Sequence, residues 1–218
     1  MELLFIGNSY TYYNDLPGLF QALARENGQE ITCYSVTCGG RKLYENTYKE
    51  EDEYARRIRE LASTHRFWRV ILQEHSLGPI VDYPLFTYGV TRLMEVLEKS
   101  ADGFLLYETW GRGSGSPTLI EHGWTGKGMS ERLAAAYRRL GAALSVPVSP
   151  VGENFQKVLA ADPSVELYDP DRTHPSKAGS CLAALTHYRA LFGVFPEKTA
   201  SLELPAETLA LFREIVSG

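Results

Sequence analysis

Short apolar runs alternate along this chain with longer segments whose apolar residues recur at helical spacing. Most of the short runs are rich in leucine, isoleucine, valine or phenylalanine, a pattern typical of strands that are buried on both faces of a parallel sheet. The strands predicted in this way span residues 3–6, 31–36, 69–72, 104–107 and 146–148.

The longer segments carry the start and stop signals of helices. The first has Asn14 and Asp15 as capping residues, Pro17 in its first turn, and an end at residues 26–28. The charged segment 50–62 has helical spacing and a largely solvated face. The glycine-rich stretch 108–125 is expected to be a functional or mobile loop. Further helices are predicted at about 83–99, 130–144, 153–161, 176–192 and 206–216.

Strands that alternate with helices predict an α/β fold built on a parallel sheet. The chain has 218 residues, of which 44% are hydrophobic and 22% are charged, close to an ordinary soluble protein. No internal repeat, low-complexity tract or linker divides the sequence, so we expect a single domain over residues 1–218.

Charge and cysteine content narrow the function classes. The formal net charge of −5 argues against a nucleic-acid binder, which needs a basic stripe, and no polybasic segment is present to bind an anionic membrane. The first residues lack the features of a secretory signal, and no apolar run approaches the roughly 18 residues of a spanning helix. We therefore expect a soluble, cytoplasmic protein with three reduced cysteines and no metal or other cofactor.

Candidate chemistry concentrates where the predicted strands end. In open parallel sheets, ligands bind at the carboxyl ends of the strands. A serine follows the first strand at residue 9, two glycines follow the second at 39–40, and Gln-Glu-His-Ser follows the third at 73–76. An Asp-x-x-His sequence at 171–174 follows the last strand-like segment. Together these residues include every part that an acyl-transfer site requires.

Four of these pieces resemble, in order, the sequence blocks of the SGNH/GDSL hydrolase superfamily: residues 5–9 (Phe-Ile-Gly-Asn-Ser), 39–40, 73–76 and 171–176 (Asp-Arg-Thr-His-Pro-Ser). The most specific element is the combination of Gly-Asn-Ser after a strand with Asp-x-x-His-Pro-Ser before a helix. The resemblance extends from residue 5 to about 180. It implies a flavodoxin-like, three-layer α/β/α fold with five parallel strands, and ester hydrolysis through an acyl-enzyme.

The catalytic roles also follow from the residue types. A serine hydroxyl such as that of Ser9 is a weak nucleophile until an adjacent base takes its proton. The imidazole of His174 is suited to accept that proton and pass it on. Asp171, three residues earlier, is placed to reach the far ring nitrogen and fix the tautomer, and we prefer it to the nearby Asp169 because it matches the motif position.

An acyl-transfer site also needs N–H donors for the tetrahedral oxyanion. The candidates are the backbone amides of Ser9 and of Gly39 or Gly40, and the side-chain amide of Gln73. Gln73 stands where most of the superfamily has asparagine. In this respect the third block resembles the Gln-Gly-Glu-Ser run of carbohydrate acetylesterases, in which glutamine supplies the donor.

Side chains around the nucleophile are candidates for substrate binding. Aromatic residues there could stack on a sugar ring or line an acyl pocket, although core packing and loop anchoring would explain them equally well. The same two explanations apply to Tyr12, Tyr13 and Trp124. The substrate-binding residues that we predict are Asn8, Tyr10, Ser76 and Trp110.

These observations predict a serine esterase that hydrolyses small or medium acyl esters, O-acetylated carbohydrates among them, through an acyl-enzyme on Ser9. The partner is then a small-molecule ester, while the oligomeric state is left open. Two alternatives remain at this stage. The altered third block fits an SGNH scaffold that has lost its activity, and a flavodoxin-like module would bind a small ligand without chemistry. The turn after the first strand is sparse in glycine for a phosphate cradle, which disfavours the second alternative.

Overall fold

Five parallel strands form the centre of the molecule in the computed structural model, which describes residues 1–48 and 51–218, without the side chain of Tyr48. The strands are β1 Glu2–Gly7, β2 Thr32–Thr37, β3 Arg69–Leu72, β4 Phe104–Tyr107 and β5 Val148–Ser149. Their order in the sheet is β2-β1-β3-β4-β5. Every neighbouring pair is parallel, so all carboxyl ends lie at one edge.

Helices cover both faces of this sheet. Successive side chains of a strand point to opposite faces. In β1, Leu3 and Phe5 belong to one hydrophobic core and Leu4 and Ile6 to another, and no residue of either core is shared. The α-helices of the described chain are α1 Ser9–Tyr12, α2 Leu16–Glu26, α3 Glu45–Tyr48, α4 Glu53–Thr64, α5 Gly78–Val81, α6 Tyr83–Leu97, α7 Pro117–His122, α8 Gly126–Leu144, α9 Val151–Ala161, α10 Lys177–Phe192 and α11 Ala206–Ser217.

Helices α2, α9, α10 and α11 pack on one face of the sheet, and α4, α6 and α8 on the other. The three layers confirm the α/β/α fold with a five-stranded parallel sheet. No helix in the described part of the chain is both long and apolar enough to cross a lipid bilayer.

Most predicted boundaries lie within a few residues of the observed ones, and the differences have local causes. The fifth strand is Val148–Ser149 instead of 146–148, because the N–H of Val146 donates to the carbonyl of Gly141 and so closes α8. Helix α8 itself begins at Gly126, four residues before the predicted start, because the Thr125 hydroxyl caps it by accepting the N–H of Gly128.

Two other segments differ from the predictions. The stretch 108–125 is not loop throughout, since it contains the short helix α7. The predicted helix 50–62 begins at Glu53, where the carboxylate of Asp52 accepts the N–H groups of Tyr54 and Ala55, and its predicted first residue, 50, lies outside the described residues. Neither difference moves a strand end, so the residues of interest still converge at the carboxyl edge of the sheet.

Candidate active site

The turn that follows β1 presents Ser9 at the carboxyl edge of the sheet. Asn8 shapes this turn with three hydrogen bonds: its Oδ1 accepts from the N–H of Tyr10 (3.2 Å), its Nδ2 donates to the carbonyl of Arg41 (3.0 Å), and its own N–H donates to Oε1 of Gln73 (2.9 Å). Ser9 is the first residue of α1 and is 8% exposed. The turn therefore holds the hydroxyl in a defined place while leaving it partly accessible.

Ser9 and the Asp171–His174 pair meet at this edge although they are far apart in sequence. The Nε2 of His174 lies 2.9 Å from Oγ of Ser9. The Nδ1 of His174 is hydrogen-bonded to Oδ2 of Asp171, and Oδ1 of Asp171 accepts the N–H groups of Thr173 and His174, each at 2.9 Å. Asp169 contacts the histidine only through the backbone, where its N–H donates to the carbonyl of His174 (2.9 Å).

The electrostatics of the pair suit an ionised carboxylate beside an imidazole. Burial works to raise the pKa of the Asp171 carboxyl, but hydrogen bonds from the His174 ring and from two backbone N–H groups outweigh it and hold that pKa below its ordinary value. An ionised Asp171 keeps the proton of His174 on Nδ1, so Nε2 is free to accept the proton of Ser9. The arrangement is chemically competent for activating a serine hydroxyl.

One face of the imidazole is covered by Tyr13, an aromatic residue that we considered for substrate stacking or for packing. The Tyr13 ring stacks on that of His174 with centroids 4.2 Å apart and planes within 9°. The next residue, Asn14, has a left-handed backbone (φ 53°), and its Nδ2 donates to the carbonyl of Pro175 (3.0 Å) and to Oγ of Ser180 (2.9 Å). Asn14 thus ties the segment of Ser9 to the segment of His174 and sets the Tyr13 ring against the imidazole.

Three backbone N–H groups at the edge are available to an oxyanion. The N–H of Ser9 is the first of a helix, where no intrahelical acceptor exists. Gly39 and Gly40 form an exposed turn after β2, closed by a bond from the N–H of Arg41 to the carbonyl of Cys38 (3.2 Å), and Gly40 has a φ of +69°. Within the described chain, none of these three N–H groups donates to a protein acceptor.

Gln73 corrects one expectation from the sequence. Its side chain is fully buried below the nucleophile turn, where Oε1 accepts from the N–H of Asn8 and from the Thr11 hydroxyl, each at 2.9 Å. Its Nε2 donates to the backbone carbonyl of Glu74. Both ends of the amide are therefore engaged inside the protein, and Nε2 is not directed at an oxyanion as we expected. The geometry makes Gln73 a residue that holds the turn of Ser9 in place.

The predicted substrate-binding residues also lie deeper than expected. Trp110 is 0% exposed, stacks between Tyr10 (4.5 Å) and Phe155 (4.2 Å), and donates from Nε1 to the carbonyl of Thr173 (3.1 Å). Asn8 and Tyr10 are buried as well, at 2% and 3% exposed. The site is therefore supported from behind by Trp110, Tyr10 and Asn8, which do not form its surface. Trp110 and Tyr10 are engaged in aromatic packing, and Asn8 is engaged in the turn.

Two further residues near the site, Glu74 and Arg112, make contacts that the sequence-based predictions did not specify. The Glu74 carboxylate is buried and accepts the N–H groups of His75 (2.6 Å) and Leu43 (3.2 Å), which joins the end of β3 to the segment after the glycine turn. Burial raises the pKa of Glu74 to about 7 despite these bonds. Arg112, in the stretch after β4, donates from Nη2 to Oγ of Ser76 (3.2 Å). Neither role is readable from spacing, because each depends on a loop from elsewhere in the chain.

Solved structures resemble this fold across nearly its whole length. A proposed SGNH hydrolase from Slackia heliotrinireducens superposes with a TM-score of 0.76 at 28% identity, over 88% of this chain and 98% of its own. A DUF4886 family protein from Bacteroides uniformis reaches 0.81 at 14% identity, over 100% and 93%. The acetyl xylan esterase AlAXEase reaches 0.65 at 17% identity, over 88% and 100%. No protein-family model and no curated protein sequence matches the chain.

Several of the solved structures that share this fold are SGNH hydrolases or acetyl xylan esterases, which are carboxylic ester hydrolases. The similarity to the SGNH hydrolase from Slackia heliotrinireducens confirms the resemblance to the SGNH/GDSL superfamily found in the sequence blocks.

Proposed function

We propose that this protein is a serine esterase that hydrolyses small or medium acyl esters through an acyl-enzyme on Ser9. The observation that carries the proposal is the 2.9 Å contact between Oγ of Ser9 and Nε2 of His174, with Asp171 bonded to the other ring nitrogen. Nucleophile, base and orienting acid in hydrogen-bond reach of one another are the arrangement that serine acyl transfer needs.

In the proposed mechanism, His174 takes the hydroxyl proton as Oγ of Ser9 attacks the ester carbonyl carbon. The oxygen of the tetrahedral intermediate is then held by the N–H of Ser9 together with that of Gly39 or Gly40. Collapse breaks the ester bond, and His174 gives its proton to the departing alcohol. Water, deprotonated in turn by His174, attacks the acyl group on Ser9 and releases the acid.

Acetyl esters of carbohydrates are the first substrates to consider. Several structural neighbours are acetyl xylan esterases, at identities of 16–18% that relate their folds to this one. A small acyl group is also consistent with the packing near Ser9, since Tyr10 and Trp110, the aromatic residues that could line a longer acyl pocket, are buried against each other. We therefore place acetate ahead of longer acyl groups.

The deciding experiment measures hydrolysis of 4-nitrophenyl acetate by the wild-type protein and by Ser9→Ala. We expect turnover in the wild type alone, and labelling of Ser9 by a fluorophosphonate probe, located by peptide mass spectrometry. Equal rates in the two proteins would overturn the proposal. Absence of both turnover and labelling in a correctly folded wild type would instead favour the alternative of a scaffold that has lost its activity.

A further inference from the structure

Arg112 carries a positive charge that no carboxylate of the described chain neutralises. The side chain is half-buried, and its bonds go to neutral oxygens only: Nη1 donates to Oγ1 of Thr118 (2.5 Å) and Nη2 donates to Oγ of Ser76 (3.2 Å). Its Nε is buried and has no acceptor. A guanidinium offers five N–H donors in a planar fork. Most of that donor capacity is therefore unused in the protein alone.

This arginine lies at the same edge of the sheet as the nucleophile. The residues on either side of it are bonded to the segment that carries the histidine: the Tyr168 hydroxyl donates to the carbonyl of Gly111 (2.7 Å), and the N–H of Gly113 donates to the carbonyl of Arg172 (2.8 Å). Its charge also reaches Tyr10, the residue after the nucleophile. Burial raises the pKa of Tyr10 to about 12, and Arg112 counteracts that rise.

The surroundings of Arg112 are positive overall. Burial lowers the pKa of His75, and the charges of Lys42 and Arg112 lower it further, with only Glu45 opposing them. The carboxylates of the neighbouring loops have other partners: Asp171 is bonded to His174, Glu74 accepts from Leu43 and His75, and Glu45 accepts from the N–H of Lys42. Among the charges that act on His75, the two positive ones therefore outnumber the negative one.

We propose that Arg112 binds a carboxylate of the substrate, so that the enzyme prefers esters carrying a negative charge near the scissile bond. This specificity rests on the proposed esterase function of Ser9. A half-buried charge without a counter-ion is costly, and a bidentate carboxylate offsets that cost with geometry that a lysine or an amide does not reproduce. Ser76 then orients the guanidinium for the ligand, while the bond to Thr118 anchors the loop of Arg112 to α7.

Matched ester pairs test the proposal and tell the two possible positions of the carboxylate apart. For the acyl side, we compare mono-4-nitrophenyl adipate with its methyl ester; for the alcohol side, 4-acetoxybenzoate with its methyl ester. We expect that Arg112→Gln lowers the anionic-to-neutral ratio of kcat/KM at least tenfold in one pair. An unchanged ratio in both pairs would overturn the proposal, whatever the absolute rates.

The variant Thr118→Val tells whether Arg112 recognises the substrate carboxylate or only anchors its own loop. This variant removes the acceptor of Nη1 and keeps the charge, so it should lower both members of a pair alike. If Arg112→Gln did the same, the arginine would be a structural anchor and the proposal would be wrong.

A binding measurement, which needs no turnover, separates the proposed carboxylate subsite at Arg112 from the proposed esterase function of Ser9. We expect calorimetric titration of 4-acetoxybenzoate and of adipate into Ser9→Ala protein to show binding of one of them, and that binding to be lost in Ser9→Ala/Arg112→Gln. Absence of binding by both carboxylates would overturn the subsite. Binding that depends on Arg112, in a wild type that hydrolyses no ester, would overturn the esterase and leave the subsite standing.

Discussion

Two serine–histidine pairs occur in the described part of the chain, and their difference is instructive. At the carboxyl edge of the sheet, Oγ of Ser9 lies 2.9 Å from Nε2 of His174. Inside the core, Oγ of Ser149 lies 2.7 Å from Nδ1 of His187. The core contact is the shorter one, so distance alone does not distinguish a nucleophile from a packed hydroxyl.

The surroundings of the two histidines make the distinction. His174 has Asp171 on its second nitrogen and is partly exposed, whereas His187 is 0% exposed and its Nε2 has no partner. Two aromatic rings, those of Phe5 and Tyr107, pack against His187 at 6.1 and 4.4 Å. Burial lowers the pKa of His187 to about 3, so it does not hold a proton taken from a serine. A base needs an acid partner and access as well as a nearby hydroxyl.

The largest contrast is expected from the two serines. Ser9→Ala should lower kcat for 4-nitrophenyl acetate by at least about 10⁴-fold, because the nucleophile is lost. Ser149→Ala should leave kcat within about twofold and lower the unfolding free energy by roughly 1–3 kcal/mol, since Nδ1 of His187 loses its partner. Steady-state rates and urea unfolding measure both effects. A large loss of kcat in a folded Ser149→Ala protein would contradict the comparison.

The acid partners give the next contrast. Asp171→Asn should lower kcat by roughly 10³- to 10⁴-fold, because the amide no longer fixes the Nδ1–H tautomer of His174. Asp169→Asn is the matched control, since Asp169 meets the histidine only through its backbone, and it should stay within a few-fold of wild type. The rates are compared at one pH and saturating substrate. If the two variants lost activity equally, the assignment of the acid would be wrong.

A third prediction concerns pH and the core pair. Unfolded histidine titrates near ~6.5, while burial holds the native pKa of His187 at about 3. Below pH 6.5 the unfolded chain therefore binds the extra proton, and the stability that neutral His187 supports is lost as pH falls. Between pH 7 and pH 5 the wild type should lose about 2 kcal/mol more than Ser149→Ala/His187→Leu.

Urea unfolding at the two pH values measures that difference. Subtracting the profile of the double variant removes the contributions of Glu74 and Glu108, for which burial raises the pKa to about 7 and about 8 and which change stability in the opposite direction. Parallel profiles for the wild type and the double variant would show that His187 is not buried as a neutral ring.

The smallest effect is expected at the Tyr13 ring, which stacks on His174. Tyr13→Leu should lower kcat/KM by about threefold to tenfold, because loss of an aromatic stack costs about 0.5–1.5 kcal/mol. Tyr13→Phe keeps the stack on His174 and should remain near wild type. The pH profile of kcat/KM should shift for leucine only. An equal loss in both variants would point to the hydroxyl instead of the ring.

The sequence predicted the sheet well because parallel strands are buried on both faces and leave uninterrupted apolar runs. The runs at 69–72 and 104–107 match the observed strands in every residue. Helix α1 was not predicted, because four residues are too few for a helical period. Helix α7 was missed for a similar reason, since it has six residues inside a glycine-rich stretch.

At the site, the sequence placed the chemistry at the strand ends but not the direction of individual side chains. Gln73 was expected to face the substrate and instead faces inward, because the Asn8 N–H and the Thr11 hydroxyl, 65 and 62 positions away, needed an acceptor. Trp110 was predicted to bind substrate, with core packing as the alternative, and it is buried between two rings. Both outcomes depend on partners distant in sequence, and no local pattern contains them.

The separation of 165 positions between Ser9 and His174 has a consequence for the synthesis of the protein on the ribosome. A ribosome delivers the amino-terminal strand first, and domains form as chain becomes available. Ser9 therefore leaves the ribosome long before His174, the base of the proposed mechanism, is synthesised. The Ser9 hydroxyl is not activated during that interval. In the proposed mechanism, the site is complete only when the segment around His174 docks on the sheet edge. Chains that have not reached residue 174 are therefore expected to hydrolyse no ester.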